Sequence, residues 1–294
     1  MPAKARATAS DALMAYTSLT AEQRATFQRE GVLIIKNHYD VEREIVPIHR
    51  AIYEIIGLVA ARHGVALDRP SFASEHFDAG FMALIAANRS FGGEVYDIVK
   101  QIPAFLRLVS APHNEAVFCD LRNTDFAGVG AGSYGIRIDV PNEEKFRSLW
   151  HQEYLYQPQS IDGLVMWAPL VRMTADLGPV SYCEASHLDG LRVYERQNQG
   201  KSGAYQIAIH EAERVAAQYT QRAPLTEPGD VILMDYLTIH QSGYNTSALP
   251  RWSMQSRYFN FRHESGLKTG WKSSITTGTD VEAIFPENFI KVPS

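Results

Sequence analysis

The sequence predicts a mainly β protein with helices packed around it. Three observations carry that expectation. Strand-like runs crowd residues 126–262, helical spacing dominates up to about residue 110, and Gly and Pro punctuate the strands at short intervals. Short strands with such turns fit a sandwich or barrel better than a parallel sheet with regular crossovers.

Taken in order, LTAEQRATFQREG at 19–31 opens a helix. Thr20 is placed to cap it, Gln23 stands in the capping-box position, and Gly31 ends it. VLIIK at 32–36 reads as a strand. Between 41 and 64, Ile45, Ile48, Ile52, Ile55, Ile56 and Val59 follow helical spacing. Further helices are expected at 73–89 and 92–110, with Pro103 kinking the second or starting a new one. FAGVGAGSYGIRIDV at 126–140 passes from a glycine-rich stretch into an alternating strand. Strand-like runs follow at 161–173, 179–184, 229–237 and 251–262, the last alternating over several positions. A helical stretch at about 204–219 interrupts them. The expected organisation is a flexible tail at 1–18 and one domain at 19–294. Its barrel core lies at about 126–262, with an insert at about 190–220 whose border QNQGKSG (197–203) suggests a lid.

At 294 residues and 45% hydrophobic, the chain can bury a core without disulfides. Twenty-eight Lys plus Arg face 33 Asp plus Glu, a net charge of −5, with no basic stripe; nucleic acid is not an expected partner. No apolar stretch approaches membrane-spanning length, and the N-terminus lacks the apolar core of a secretory signal. Two cysteines, Cys119 and Cys183, make neither a disulfide framework nor a four-thiolate zinc site. A cytoplasmic protein, monomer or homodimer, is expected.

The chemistry concentrates in LWHQEYLY at 149–156. His151 and Glu153 are two apart, so in an extended segment both side chains share a face. An imidazole nitrogen and a carboxylate oxygen then take neighbouring corners of one metal. A second, distant histidine completes a facial triad with open positions, the arrangement of non-haem iron(II) oxygenases. His240, 89 residues on, is the candidate, expected to be carried at the end of the strand that GDVILMDYLTIH begins. Alone, an HxE pair is more often a surface feature. Arg251 changes that balance: it follows His240 by 11 residues and opens the last strand. A hairpin joining the two strands would return it to the metal, where a guanidinium suits the far carboxylate of 2-oxoglutarate.

With these elements in this order, the chain resembles the phytanoyl-CoA dioxygenase family of iron(II)- and 2-oxoglutarate-dependent oxygenases over roughly 19–262. AEQRATFQREGVLIIKNHYD looks like its opening helix and strand. LWHQEYLYQP looks like its first metal motif, usually HxD. LVMWAPLVRMTADLGPVSYCEASHLDG looks like its central strand pair. GDVILMDYLTIHQSGYNTSALPRWSMQSRYF looks like its final motif. Departures are Glu153 for aspartate, Leu177 for an asparagine before the Gly-Pro turn, and Glu184-Ala185-Ser186-His187 for "PGSH". The carboxylate at 153 argues against the halogenase variant of this chemistry.

The resemblance implies a double-stranded β-helix (jelly roll, cupin-like barrel) with helices outside. It implies iron(II) on His151, Glu153 and His240, 2-oxoglutarate on Arg251, and dioxygen. The implied reaction hydroxylates an aliphatic C–H bond of a small metabolite or natural-product intermediate, releasing succinate and carbon dioxide. Desaturation or ring formation uses the same cofactors, and a cupin-type isomerase or binding protein shares the barrel but not the reason for Arg251. Trp167, Thr174 and Ser242 are further cosubstrate candidates, although a tryptophan there is as often core. Arg137 faces either the cavity or solvent.

Overall fold

The computed structural model describes residues 19–196, 207–272, 274, 275 and 278–290. The expected tail and the QNQGKSG border lie outside the described residues.

The first helix, α1 (Ala21–Glu30), starts as its sequence predicts. Thr20 Oγ1 accepts from Gln23 N–H at 3.1 Å, Gln23 Oε1 accepts from Thr20 N–H at 2.8 Å, and Gly31 closes the helix at φ 73°. Strand β1 (Val32–Ile35) follows. A π-helical turn at Val41–Ile45 leads into α2 (Val46–Arg62). The helix expected over 73–89 is shorter, α3 (Phe81–Ala87), because Gly80 sits at φ 94° and interrupts helical backbone there. Next come α4 (Arg89–Val99) and α5 (Pro103–Val109), so Pro103 begins a helix rather than kinking one. A sixth, α6 (Pro112–Arg122), was not apparent from spacing.

Among the described residues, the strands form three antiparallel sets. The large sheet orders β1, β9 (Val231–Asp235), β4 (Gly163–Pro169), β11 (Arg251–Asn260) and β2 (Ala127–Val129), with β3 (Gly135–Asp139) also pairing β11. A small sheet orders β10 (His240–Ser242), β5 (Val180–Cys183) and β8 (Gln221–Arg222). β6 (Tyr194–Arg196) pairs with β7 (Ile207–Ile209). The helix expected over 204–219 is thus part strand, and among its described residues only Ala212–Ala216 is α-helical. Ile207 and Ile209 are both buried, the period-2 burial of a strand.

Period-2 alternation divides the interior in two. Val231 and Leu233 of β9, Leu164, Met166 and Ala168 of β4, and Trp252, Met254 and Tyr258 of β11 pack under the helices. Ile232, Met234, Val165 and Trp167 turn the other way and meet Val180 and Tyr182 of the small sheet and Ile239 just before it. On β11 that inward face carries Arg251, Ser253, Gln255 and Arg257 instead. Among the described residues, no helix is long and apolar enough to cross a membrane.

His49 ties the helical layer to the large sheet. It is 3% exposed and stacks on Phe77, ring centroids 4.0 Å apart. Its Nε2–H donates to Leu170 O at 2.8 Å, a carbonyl that can only accept, so Nδ1 accepts from Ser74 Oγ at 2.7 Å. Burial pulls its pKa down to about 4, against a weaker opposing pull from Leu170 O. The folded ring stays neutral where the unfolded chain takes a proton, so stability present above pH ~6.5 drains away as pH falls toward 4. We expect the melting temperature to fall between pH 7 and pH 5, and His49→Gln to flatten that slope in a pH series of thermal melts.

Candidate metal centre

Two backbone hydrogen bonds set the geometry of the site. His151 N–H donates to His240 O at 3.0 Å, and His240 N–H donates to His151 O at 2.9 Å. The two histidines are therefore direct antiparallel partners, an isolated bridge on the edge of β10. The single strand expected to carry His240 does not exist. β9 ends at Asp235, whose Oδ1 takes Leu237 N–H at 2.7 Å in a local turn. The chain then crosses to the small sheet, where β5 flanks β10 on its other side.

Glu153 follows the bridge. Its N–H donates to Tyr236 O at 2.8 Å, and the chain turns as Tyr156 N–H reaches Glu153 O at 2.9 Å. Gln152 points elsewhere, donating to Gly190 O at 2.8 Å and Leu237 O at 2.7 Å. That leaves Glu153 Oε2 3.8 Å from His151 Nε2 and 3.7 Å from His240 Nε2. One donor atom from each of the three residues lies within 4.8 Å of the others.

The donors are prepared for a cation. His151 Nδ1 sits 2.7 Å from Leu149 O and His240 Nδ1 2.9 Å from Thr238 O. A carbonyl only accepts, so each Nδ1 carries the proton and each Nε2 presents a lone pair inward. Burial, reinforced by His240, pulls the His151 pKa down to about 3, so the ring is neutral. Burial opposes charge on Glu153, but Arg257 and the two imidazoles outweigh it and hold the carboxylate well below its ordinary range. Oε2 is buried and has no hydrogen-bond partner, an anionic oxygen aimed at two lone pairs. A metal ion is what such a set fits.

A small cavity adjoins His151 and His240. Its walls include Arg137, Ser148, Trp167, Ser242, Gln255 and Arg257. Register explains the company: Gln255 pairs with Trp167, Arg257 with Val165, and Ser253 with Arg137, all on the inward face. Arg137 thus faces the cavity, as do Trp167 and Ser242. Thr174 does not reach it: exposed beyond β4, it donates to Asp176 at 2.5 Å.

Arg251 is 1% exposed and shares its face with Gln255, but it does not line the cavity. Nor does a hairpin return it, since β10 and β11 belong to different sheets. Its guanidinium pairs with Asp139 Oδ2 at 2.7 Å, while Nε is buried without a partner. Asp139 also holds Arg137 at 2.9 Å. Sequence reasoning missed Asp139, Ser253, Gln255 and Arg257. The polar, apolar alternation of RWSMQSR was the signal for the last three.

The family model of phytanoyl-CoA dioxygenase (PhyH) matches residues 27–253. The chain belongs to the phytanoyl-CoA dioxygenase family. The resemblance drawn from the sequence is thereby borne out, and the matched span contains His151, Glu153, His240 and Arg251 but ends before Gln255 and Arg257. Solved structures share the fold at low identity. The non-heme alpha ketoglutarate dependent carbocyclase SnoK from nogalamycin biosynthesis aligns with TM-score 0.54 and 18% identity, over 83% of this chain and 85% of its own. EctD from S. alaskensis with bound Fe aligns at 0.52 and 17%, over 82% and 77%. The epimerase SnoN in complex with Fe3+, alpha ketoglutarate and nogalamycin RO aligns at 0.51 and 16%, over 88% and 91%. The sheet-rich body with flanking helices agrees with the expected class. Among the described residues, the end strands of the large sheet do not pair to close it into a continuous barrel.

Asp139 stands between two guanidinium groups, with its side chain 11% exposed. Removing it leaves buried arginine charge uncompensated. We expect Asp139→Ala to lower stability by about 3 kcal/mol in urea unfolding, since breaking a buried ion pair has a cost of that order.

Proposed function

We propose that this protein is an iron(II)- and 2-oxoglutarate-dependent oxygenase that hydroxylates an aliphatic C–H bond of a small, polar metabolite or natural-product intermediate. The observation that carries the reading is the buried donor set of His151, Glu153 and His240, with both Nδ1 atoms tied to carbonyls and Glu153 Oε2 left without a partner. Membership of the phytanoyl-CoA dioxygenase family supports it. When bound, iron(II) with 2-oxoglutarate and dioxygen supplies the oxidising chemistry, with succinate and carbon dioxide as co-products.

The chain's own residues hold and orient. His151, Glu153 and His240 would hold the metal. Arg251 is proposed to take the far carboxylate of 2-oxoglutarate. Supporting this, its Nε and Ser253 Oγ, two residues apart on one strand face, are both buried donors without partners. Asp139 keeps Arg251 and Arg137 side by side. Trp167 forms an apolar wall beside that path, and Ser242 offers a hydroxyl at its rim. Thr174 takes no part. Arg137, Ser148, Gln255 and the other polar walls favour a hydrophilic substrate positioned beside the metal.

Residues 19–294 are read as one domain of double-stranded β-helix type, the His151–His240 bridge extending the small sheet over the large one. A monomer or homodimer in the cytoplasm is proposed, consistent with two free cysteines.

The test is anaerobic. Iron(II) and then 2-oxoglutarate added to metal-free protein are expected to give a saturable visible charge-transfer band. Glu153→Ala should abolish it, and Arg251→Ala should raise the 2-oxoglutarate concentration at half saturation at least tenfold. Absence of the band from wild-type protein that has taken up iron would overturn the reading.

A further inference from the structure

Arg257 is the cation nearest the donor set, and neither the HxE spacing nor the family match accounts for it. It lies three pleats beyond Arg251 on β11, past the matched span, with its side chain 13% exposed. Its Nε donates to Glu153 Oε1 at 3.0 Å. The same guanidinium is anchored twice more: NH1 donates to Ser133 O at 3.3 Å, and NH2 to Gln255 Oε1 at 3.2 Å. Three bonds in three directions fix a planar group far better than one.

The two oxygens of Glu153 therefore differ. Oε1 is held by Arg257, and Oε2 has no partner and faces both imidazoles. A glutamate has one more rotatable bond than an aspartate, and its backbone is pinned at Tyr236 O, so the carboxylate needs a second restraint. We propose that Arg257 is a positioning residue of the metal centre: it holds Glu153 Oε1, so that Oε2 alone is presented between His151 and His240. A metal held there would meet one oxygen of Glu153 rather than two. The contact also matches the length of the ligand to its holder. An aspartate at 153 would draw the carboxylate back by one methylene, out of reach of Nε or of the metal. This inference rests on the proposed metal function, and it concerns how the ligand is held rather than which reaction follows.

The experiment titrates Co(II) into metal-free protein and follows the visible ligand-field bands. It uses wild type, Arg257→Met, Glu153→Asp and the double variant. Arg122→Met serves as a control, because Arg122 is equally buried at 13% but pairs with Asp162 and Asp235, away from the site. Arg257→Met is expected to weaken Co(II) binding about tenfold or more, in line with losses of hydrogen-bonded partners behind metal ligands. Its band shape should change as the second oxygen coordinates. Arg122→Met should leave both unchanged. In the Glu153→Asp background, Arg257→Met should change affinity less than twofold, because the contact it removes is already gone. Wild-type affinity and spectrum in Arg257→Met would overturn the proposal while leaving the metal reading intact. Equal losses in both backgrounds would also overturn it, assigning Arg257 to general stability. If Arg257→Met does not fold, Arg257→Lys decides: it keeps the charge but not the three-point anchoring, so affinity is expected to drop at least threefold, and none lost counts against the proposal. Folded wild-type protein that takes up neither Co(II) nor Fe(II) would instead remove the metal function itself.

Discussion

The site depends on one cross-strand pairing, the two backbone hydrogen bonds between His151 and His240. A hydrogen-bonded pair of antiparallel residues brings two Cα atoms to about 5.5 Å and sends both side chains to the same face. Two imidazoles on distant parts of the chain are thereby placed together without any attraction between them. Their mutual repulsion when charged is avoided because burial keeps His151 neutral. The same pairing brings Glu153 under the Tyr236 carbonyl, so the third donor follows from the first two.

The second constraint is the inward face of β11. Its outward side chains are an ordinary core of Trp252, Met254 and Tyr258, and its inward ones are Arg251, Ser253, Gln255 and Arg257. Burying two guanidinium groups on one strand is unfavourable unless each finds a carboxylate. Each does: Arg251 has Asp139 and Arg257 has Glu153. The protein thus holds its polar floor by ion pairs between strands. The apolar inward faces of β4 and β9 seal it from the side, with Val165, Trp167 and Met234 along the cavity. Three buried atoms of this floor, Glu153 Oε2, Arg251 Nε and Ser253 Oγ, have no hydrogen-bond partner within it.

Much of this was legible in the chain. The capping box at Thr20 and Gln23, the αL stop at Gly31, the helix carrying Ile48, Ile52 and Ile56, and the long alternating strand from Arg251 are local patterns that the structure reproduces. The ordered motifs that resembled one family led to the family that the chain belongs to. Where local patterns misled, tertiary context had taken over. The helix expected over 204–219 is part strand because Ile207 and Ile209 both reach the inner core. The strand expected to run through His240 breaks at Asp235, where a side chain satisfies the next N–H.

Sequence by itself determined the order of the elements, the residue types at the site and the faces on which strand residues fall. These follow from period and from local hydrogen bonding, which are properties of neighbours along the chain. Only the tertiary structure decided the partners. Glu153 and Arg257 are 104 residues apart, and nothing in either segment specifies the other. Register across β3, β11 and β4 put Arg137 opposite Ser253 and Trp167 opposite Gln255, and left Thr174 outside. The physical reason is that pairing between distant strands is set by how whole faces bury. A shift of one residue would turn the four polar side chains of β11 into the helical core and its aromatic ones into the cavity.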